Sequence, residues 1–145
     1  MIRKSTAIIV ILFFTACASQ NYGGVTRTSD GMVKEAKTSI REVSVGDVKR
    51  MIDTGEKIVI LDVRDRDEFE TGHIPGALNL SRGMLEFKIN TLVPDRNATV
   101  VVYCGVDLRG PLATRTLNDM GYKNAVNIVG GLKAWKAAGY PVSKP

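Results

Sequence analysis

TVVVYCGVDLRGPLATRTLNDMG, residues 99–121, decides the fold. Val100 to Tyr103 is a run of β-branched and aromatic residues and reads as a buried strand. The run ends at Cys104, and a short loop from Gly105 to Arg109 follows. Gly110 and Pro111 then open a helix, with the proline in the first turn, where its missing N–H costs nothing. One cysteine thus stands where a buried strand gives way to a helix N-terminus. Successive backbone N–H groups at such a junction converge on an anion, and the helix dipole adds partial positive charge. Positive potential of this kind favours the thiolate, the nucleophilic form of cysteine. A lone cysteine is often only a small apolar core residue; the junction argues instead for a reactive Cys104 with negative charge held beside it.

On either side of this stretch, short strands alternate with helices. Ile40 to Val43 reads as a first strand, and Ser44, with Asp47 three residues on, as the N-cap of a helix over Val45 to Asp53. Ile58 to Val63 is nearly continuous in apolar residues, as a parallel strand covered on both faces would be. Asp65 to Thr71 reads as a short charged helix, Gly72 to Gly76 as a dense turn, and Ala77 to Leu80 as a strand. Met84 to Val93 has helical spacing, Ala125 to Val129 is a further strand, and Leu132 to Ala138 a last helix closed by Gly139 and Pro141. The pattern predicts an α/β fold: a small parallel sheet with helices on both faces and a site at the carboxyl ends of its strands.

The 145 residues suit one domain behind an N-terminal segment. Met1 to Ala18 has a basic start (Arg3, Lys4), an apolar run from Ala7 to Phe14, and then small residues, which is the pattern of a secretory signal. The run is shorter than the ~20 apolar residues of a spanning helix. Phe14-Thr15-Ala16-Cys17 resembles a bacterial lipobox, with Phe14 in place of the usual Leu or Val. That resemblance implies cleavage before Cys17, lipidation of its thiol, and a membrane-tethered protein on the periplasmic face of the envelope. Ordinary cleavage after Ala18 is the alternative and would release a soluble protein. Residues 19–38 are polar, show no clear hydrophobic period, and are expected to form a flexible linker reaching on the order of 25 Å; the domain is expected over 39–143. Arg3 and Lys4 carry two of the formal net charge of +5. The mild surplus that remains forms no basic stripe interleaved with aromatics, which argues against a nucleic-acid partner. There are two cysteines and one histidine, with no metal-ligand spacing among them.

Several motifs together resemble a rhodanese domain: Asp62-Val63-Arg64, Glu68-Phe69, Gly72-His73-Ile74-Pro75-Gly76-Ala77, Tyr103-Cys104 through Arg109, Gly121-Tyr122, and Gly130-Gly131-Leu132-Lys133-Ala134-Trp135. The match runs in order from about Ser39 to Val142. It implies a three-layer α/β sandwich around a five-stranded parallel sheet. It also implies a sulfurtransferase that moves sulfane sulfur from thiosulfate, a persulfide or a polysulfide to a thiol or cyanide. Cys104 is the implied nucleophile and persulfide carrier, and the backbone of Gly105, Val106, Asp107, Leu108 and Arg109 the implied cradle. The implied partners are small sulfur donors and thiol acceptors, and the chemistry needs no metal or organic cofactor. Asp62 and Arg64 end a strand on the site's side of the sheet and are expected to order the neighbouring loops. His73 sits in a turn motif and reads as structural, and Trp135 as core.

Loop length separates two chemistries on this fold. Related phosphatases place five residues between cysteine and arginine; here there are four, Gly105 to Leu108, a narrower cradle that suits a sulfane sulfur. One residue departs from the family pattern. Single-domain sulfurtransferases of this kind usually have glycine at the position of Asp107. Asp tolerates the left-handed backbone that glycine provides, but its carboxylate opposes a neighbouring thiolate and repels anionic donors. Arg109 is the expected counter-charge, pairing with Asp107 or with the substrate. Asp107 predicts weak use of thiosulfate and a preference for less charged donors. It is also the feature that favours the alternative, a non-catalytic rhodanese-like module that only binds.

Overall fold

The computed structural model describes residues 27–144. Five strands form one parallel sheet: β1 (Arg41–Val43), β2 (Ile58–Asp62), β3 (Leu78–Asn79), β4 (Thr99–Tyr103) and β5 (Ala125–Ile128), in the order β1-β5-β4-β2-β3. Six helices connect and cover them: α1 (Ser29–Lys37), α2 (Val45–Asp53), α3 (Arg66–Glu70), α4 (Leu85–Leu92), α5 (Arg109–Asp119) and α6 (Gly131–Ala137), with a single 3-10 turn, Arg82–Met84, leading into α4. This is the rhodanese-like α/β architecture expected.

Alternation along β4 builds both halves of the core. Val100, Val102 and Cys104 face the layer that holds Leu85 and Ile89 of α4 and Ala113 and Leu117 of α5. Val101 and Tyr103 face the layer that holds Val48 of α2 and Leu132 and Trp135 of α6. Both faces are sealed, which is why β2 and β4 read as apolar runs rather than alternating ones. Trp135 is fully buried and its Nε1–H donates to the Pro141 carbonyl at 2.8 Å. From β2 the chain turns outward to β3, and from β4 it runs the other way to β5. The carboxyl ends of β2 and β4, in register at Asp62 and Tyr103, therefore flank the switch point where an open sheet leaves a crevice.

Local signals set several boundaries. Ser44 and Asp47 form a reciprocal capping box on α2, and Thr28 caps α1 by accepting from the Gly31 N–H at 3.1 Å. Helix α1 corrects the expected linker. Residues 29–37 are helical, Val33 and Ala36 are buried against α5, and Arg115 of α5 donates to Glu35 at 2.9 Å. Only two buried positions in nine leave no period to read, and tertiary packing supplies the stability that the polar sequence lacks. The signal segment, Cys17 and the linker before Arg27 lie outside the described residues. Among the described residues no helix is long and apolar enough to cross a membrane.

Candidate active site

Cys104 follows the last residue of β4 and is 1% exposed, so its thiol lies at the base of the loop rather than on the surface. The loop from Gly105 to Leu108 runs over it to the first turn of α5. The two carbonyls that begin this loop are turned away from the site. Leu132 N–H donates to the Cys104 carbonyl at 2.8 Å, and Lys133 N–H donates to the Gly105 carbonyl at 3.0 Å, both from the first turn of α6. Among the described residues, the backbone N–H groups of Gly105, Val106, Asp107 and Leu108 have no acceptor. Four backbone donors without an acceptor, in the loop directly after Cys104 and at the N-terminus of α5, are available to an anion there.

Two glycines permit the close approaches. Gly131 has φ +57°, and a Cβ there would stand 2.4 Å from the Cys104 carbonyl oxygen. A Cβ on Gly110 would stand 2.4 Å from Asn127 Oδ1. Asp107 is the one non-glycine residue with positive φ among the described residues, at +69°, the left-handed bend expected of that position.

The charges are paired differently from the expectation. Arg109 does not pair with Asp107. Its guanidinium donates to both oxygens of Glu68 on α3, at 2.6 and 2.8 Å. This hydrogen bond raises Arg109 above its ordinary value and holds Glu68 below the usual carboxylate range. Geometry is the reason: Asp107 projects toward β5 and β1, while Arg109 projects back toward α3. Asp107 is instead closed into a ring. Lys37 Nζ of α1 donates to Asp107 Oδ2 at 2.5 Å and to Glu42 Oε1 of β1 at 3.0 Å. Asn127 Nδ2 of β5 donates to Asp107 Oδ1 at 2.7 Å and to the same Glu42 oxygen at 2.9 Å. Burial pulls the Lys37 ammonium down, but its hydrogen bonds to Asp107 and Glu42 outweigh this and leave it raised.

Beneath the loop, Asp62 is fully buried and accepts from Arg64 Nη2 at 2.6 Å. Arg64 also donates to the carbonyls of Glu68 at 3.1 Å and Gly72 at 2.8 Å, so the pair ties α3 and the following turn to the end of β2. Burial opposes the charge of Arg64, and Asp62 more than restores it. His73 stacks on Phe69 with ring centroids 3.7 Å apart, and its Nδ1 lies 3.0 Å from the Phe69 carbonyl oxygen, a structural setting. Val106 and Leu108 are 55% and 51% exposed and rim the mouth of the cradle.

The structure thus brings Cys104, Gly105, Val106, Asp107, Leu108, Arg109, Asp62 and Arg64 to one end of the sheet. Sequence reasoning missed Lys37, Glu42, Glu68 and Asn127. Asn127 carried a signal, being a polar residue inside the otherwise apolar run 125–129. Lys37 carried none. Among the described residues no cluster of potential metal ligands occurs.

The rhodanese-like domain model matches residues 44–138. The chain is 35% identical over 101 residues to the candidate sulfur carrier protein YrkF of Bacillus subtilis, covering 70% of this chain but only 54% of that relative. Relatives from Allochromatium vinosum, Escherichia coli and Coxiella burnetii, at 33%, 38% and 36% identity, are named sulfurtransferases. Among solved structures, RPA3614 of Rhodopseudomonas palustris, a protein of unknown function described as a possible tyrosine phosphatase, aligns with a TM-score of 0.77 at 37% identity, over 82% of this chain and 96% of that one. The polysulfide-sulfur transferase homodimer of Wolinella succinogenes aligns with a TM-score of 0.69 at 31% identity, over 80% and 87%. On its motifs, its sheet order and these likenesses, the chain belongs to the rhodanese-like family, with sulfurtransferases among its relatives.

Proposed function

We propose that this protein is a sulfurtransferase carrying sulfane sulfur as a persulfide on Cys104. The observation that supports this most is the set of four unpaired N–H groups over a buried thiol, in a loop with four residues between Cys104 and Arg109. In the first half-reaction the Cys104 thiolate attacks the outer sulfur of the donor. A new S–S bond forms at Sγ, the donor's own bond to that sulfur breaks, and its electron pair leaves with sulfite from thiosulfate or with a thiolate from a persulfide. The cradle donates to the charged terminal sulfur. In the second, an acceptor thiolate or cyanide takes the terminal sulfur and the Cys104 thiolate is regenerated.

The donor preference follows from charge. The Lys37, Glu42 and Asp107 side chains sum to one negative charge beside the loop, and Arg109 is already occupied by Glu68. A dianion such as thiosulfate meets more repulsion there than a persulfide. Lipidation of Cys17, and with it a place on the periplasmic face of the envelope, is part of the same proposal and rests on the sequence of residues 14–17.

The test is sulfur transfer to cyanide, read as thiocyanate, with thiosulfate, an organic persulfide and a polysulfide as donors. Transfer faster from the persulfide or polysulfide and absent in Cys104→Ala is the expected result. A folded, reduced protein that transfers from none of them, or whose Cys104→Ala variant remains active, would overturn the proposal.

A further inference from the structure

The N-terminal helix α1 ends at the cradle. Lys37, its last residue, reaches across to Asp107, the residue at which the loop makes its left-handed bend. A left-handed bend is strained at any non-glycine residue, though less at Asp than at most, and the surroundings decide how firmly it is held. Here both carboxylate oxygens of Asp107 are held, one by Lys37 and one by Asn127, and its side chain is only 12% exposed. The Asn127 orientation is fixed by chemistry, since only its NH2 can face two carboxylates. Its Oδ1, left without a partner, packs on the space that glycine leaves at position 110. Lys37, Glu42, Asn127 and Asp107 thus close a ring that joins α1, β1, β5 and the loop, and Lys37 is its only cation.

We propose that Lys37 is a positioning residue of the sulfur-transfer site: by holding Asp107 it fixes the bend of the cradle and cancels charge that would otherwise face Cys104. Helix α1 is then a working part of the site rather than the end of a linker. This rests on the sulfurtransferase reading for the reaction it serves, although the effect on the Cys104 thiol does not depend on which donor is used. The ring also explains how this chain carries an acid in its loop. Asp107 needs Lys37, and a glycine at position 107 would not.

The test is a double-mutant cycle on the full chain carrying Cys17→Ala, so that Cys104 is its one thiol, read by two rates: alkylation of Cys104 by neutral iodoacetamide, followed by intact mass, and persulfide formation from an organic persulfide. Lys37→Met is expected to slow both by about tenfold, within the roughly hundredfold that a misplacement of about 1 Å can cost. Lys37→Arg is expected to restore most of the loss. In an Asp107→Gly background, where the bend needs no support, Lys37→Met is expected to change either rate by less than about twofold. Thermal melting of each variant shows that folded protein is compared. Equal effects of Lys37→Met in both backgrounds, no effect in the native background, or no rescue by arginine would each overturn the inference. If alkylation follows the predicted cycle while no donor transfers sulfur, the positioning role stands and the proposed function falls.

Discussion

At the scale of single residues, Cys104 owes its setting to the alternation of β4, which turns it into the α4–α5 layer, and to the chain reversal directly after it. Arg109 owes its setting to Glu68. The carboxylate takes both Nη groups, and Nη2 stays within 4.0 Å of where a Cβ on Gly105 would lie, so the guanidinium is parked beside the cradle rather than free in solvent. Its positive charge is therefore near the reacting sulfur but partly spent. Replacing Arg109 by glutamine should lower kcat/KM for thiosulfate by about tenfold, ~1.4 kcal/mol, and lower it less for an organic persulfide. Parallel kinetics with the two donors check this, and an equal loss for both would show that Arg109 has no role in accepting anionic donors. Cys104 and the loop after it were legible in the sequence because strand, loop and helix signals meet there. The partners of Asp107 and Arg109 were not, because a side chain's direction out of a tight bend is set by the folded surroundings.

Among the elements, α6 is the one that shapes the cradle from behind. Its first N–H groups hold the carbonyls of Cys104 and Gly105, which leaves the loop's own N–H groups for the ligand. Gly131 makes that approach possible, so Gly131→Ala should be severe. A methyl at that position would stand 2.4 Å from the Cys104 carbonyl, on a backbone with φ +57°. A loss of roughly 1–3 kcal/mol is expected from the strained backbone alone, together with slower persulfide formation. Chemical denaturation and persulfide kinetics on the same sample check both effects, and native stability in the variant would contradict the account. A core substitution far from the loop separates stability from chemistry. Leu117→Ala on α5, fully buried against the sheet, should cost about 2–5 kcal/mol while leaving persulfide formation near the native rate at a temperature where the protein stays folded. The elements that carry the fold announced themselves: α2 by its capping box, β2 and β4 by continuous apolar runs. Helix α1 did not, because its nine residues bury only Val33 and Ala36 and its remaining contacts are charged.

For the molecule as a whole, ionic contacts tie elements that are distant in sequence: Glu35 to Arg115, Glu68 to Arg109, Lys37 to Asp107. Arg115 holds the Glu35 carboxyl below its ordinary value, Arg109 does the same for Glu68, and Ser44, followed by Arg50, does it for Asp47. A carboxyl depressed in the folded state stabilises above its unfolded value, near 4, and loses that contribution as pH falls through the folded value. The melting temperature should therefore stay nearly level from neutral pH to about 5 and decline modestly below about 4, since these pairs are exposed and screened by solvent. The raised Lys37 acts at the other end, where its contribution is lost only as pH rises above about 10. Melting curves across this range check both limbs, and a flat acid limb would show that these pairs contribute nothing. The sheet, its order and the place of the site follow from local patterns repeated along the chain, which is why the sequence disclosed them. The charge ring does not follow from any local pattern, since it joins residues 37, 42, 107 and 127.

The proposed function depends on Cys104 holding sulfur. The most direct measurement is the intact mass of the protein carrying Cys17→Ala after incubation with an organic persulfide or polysulfide under reducing-agent-free conditions, beside the same protein with Cys104→Ala. The account predicts a gain of one sulfur atom that cyanide removes and that Cys104→Ala never acquires. A folded protein with a free Cys104 thiol that gains no sulfur, or a gain that persists in Cys104→Ala, would contradict it.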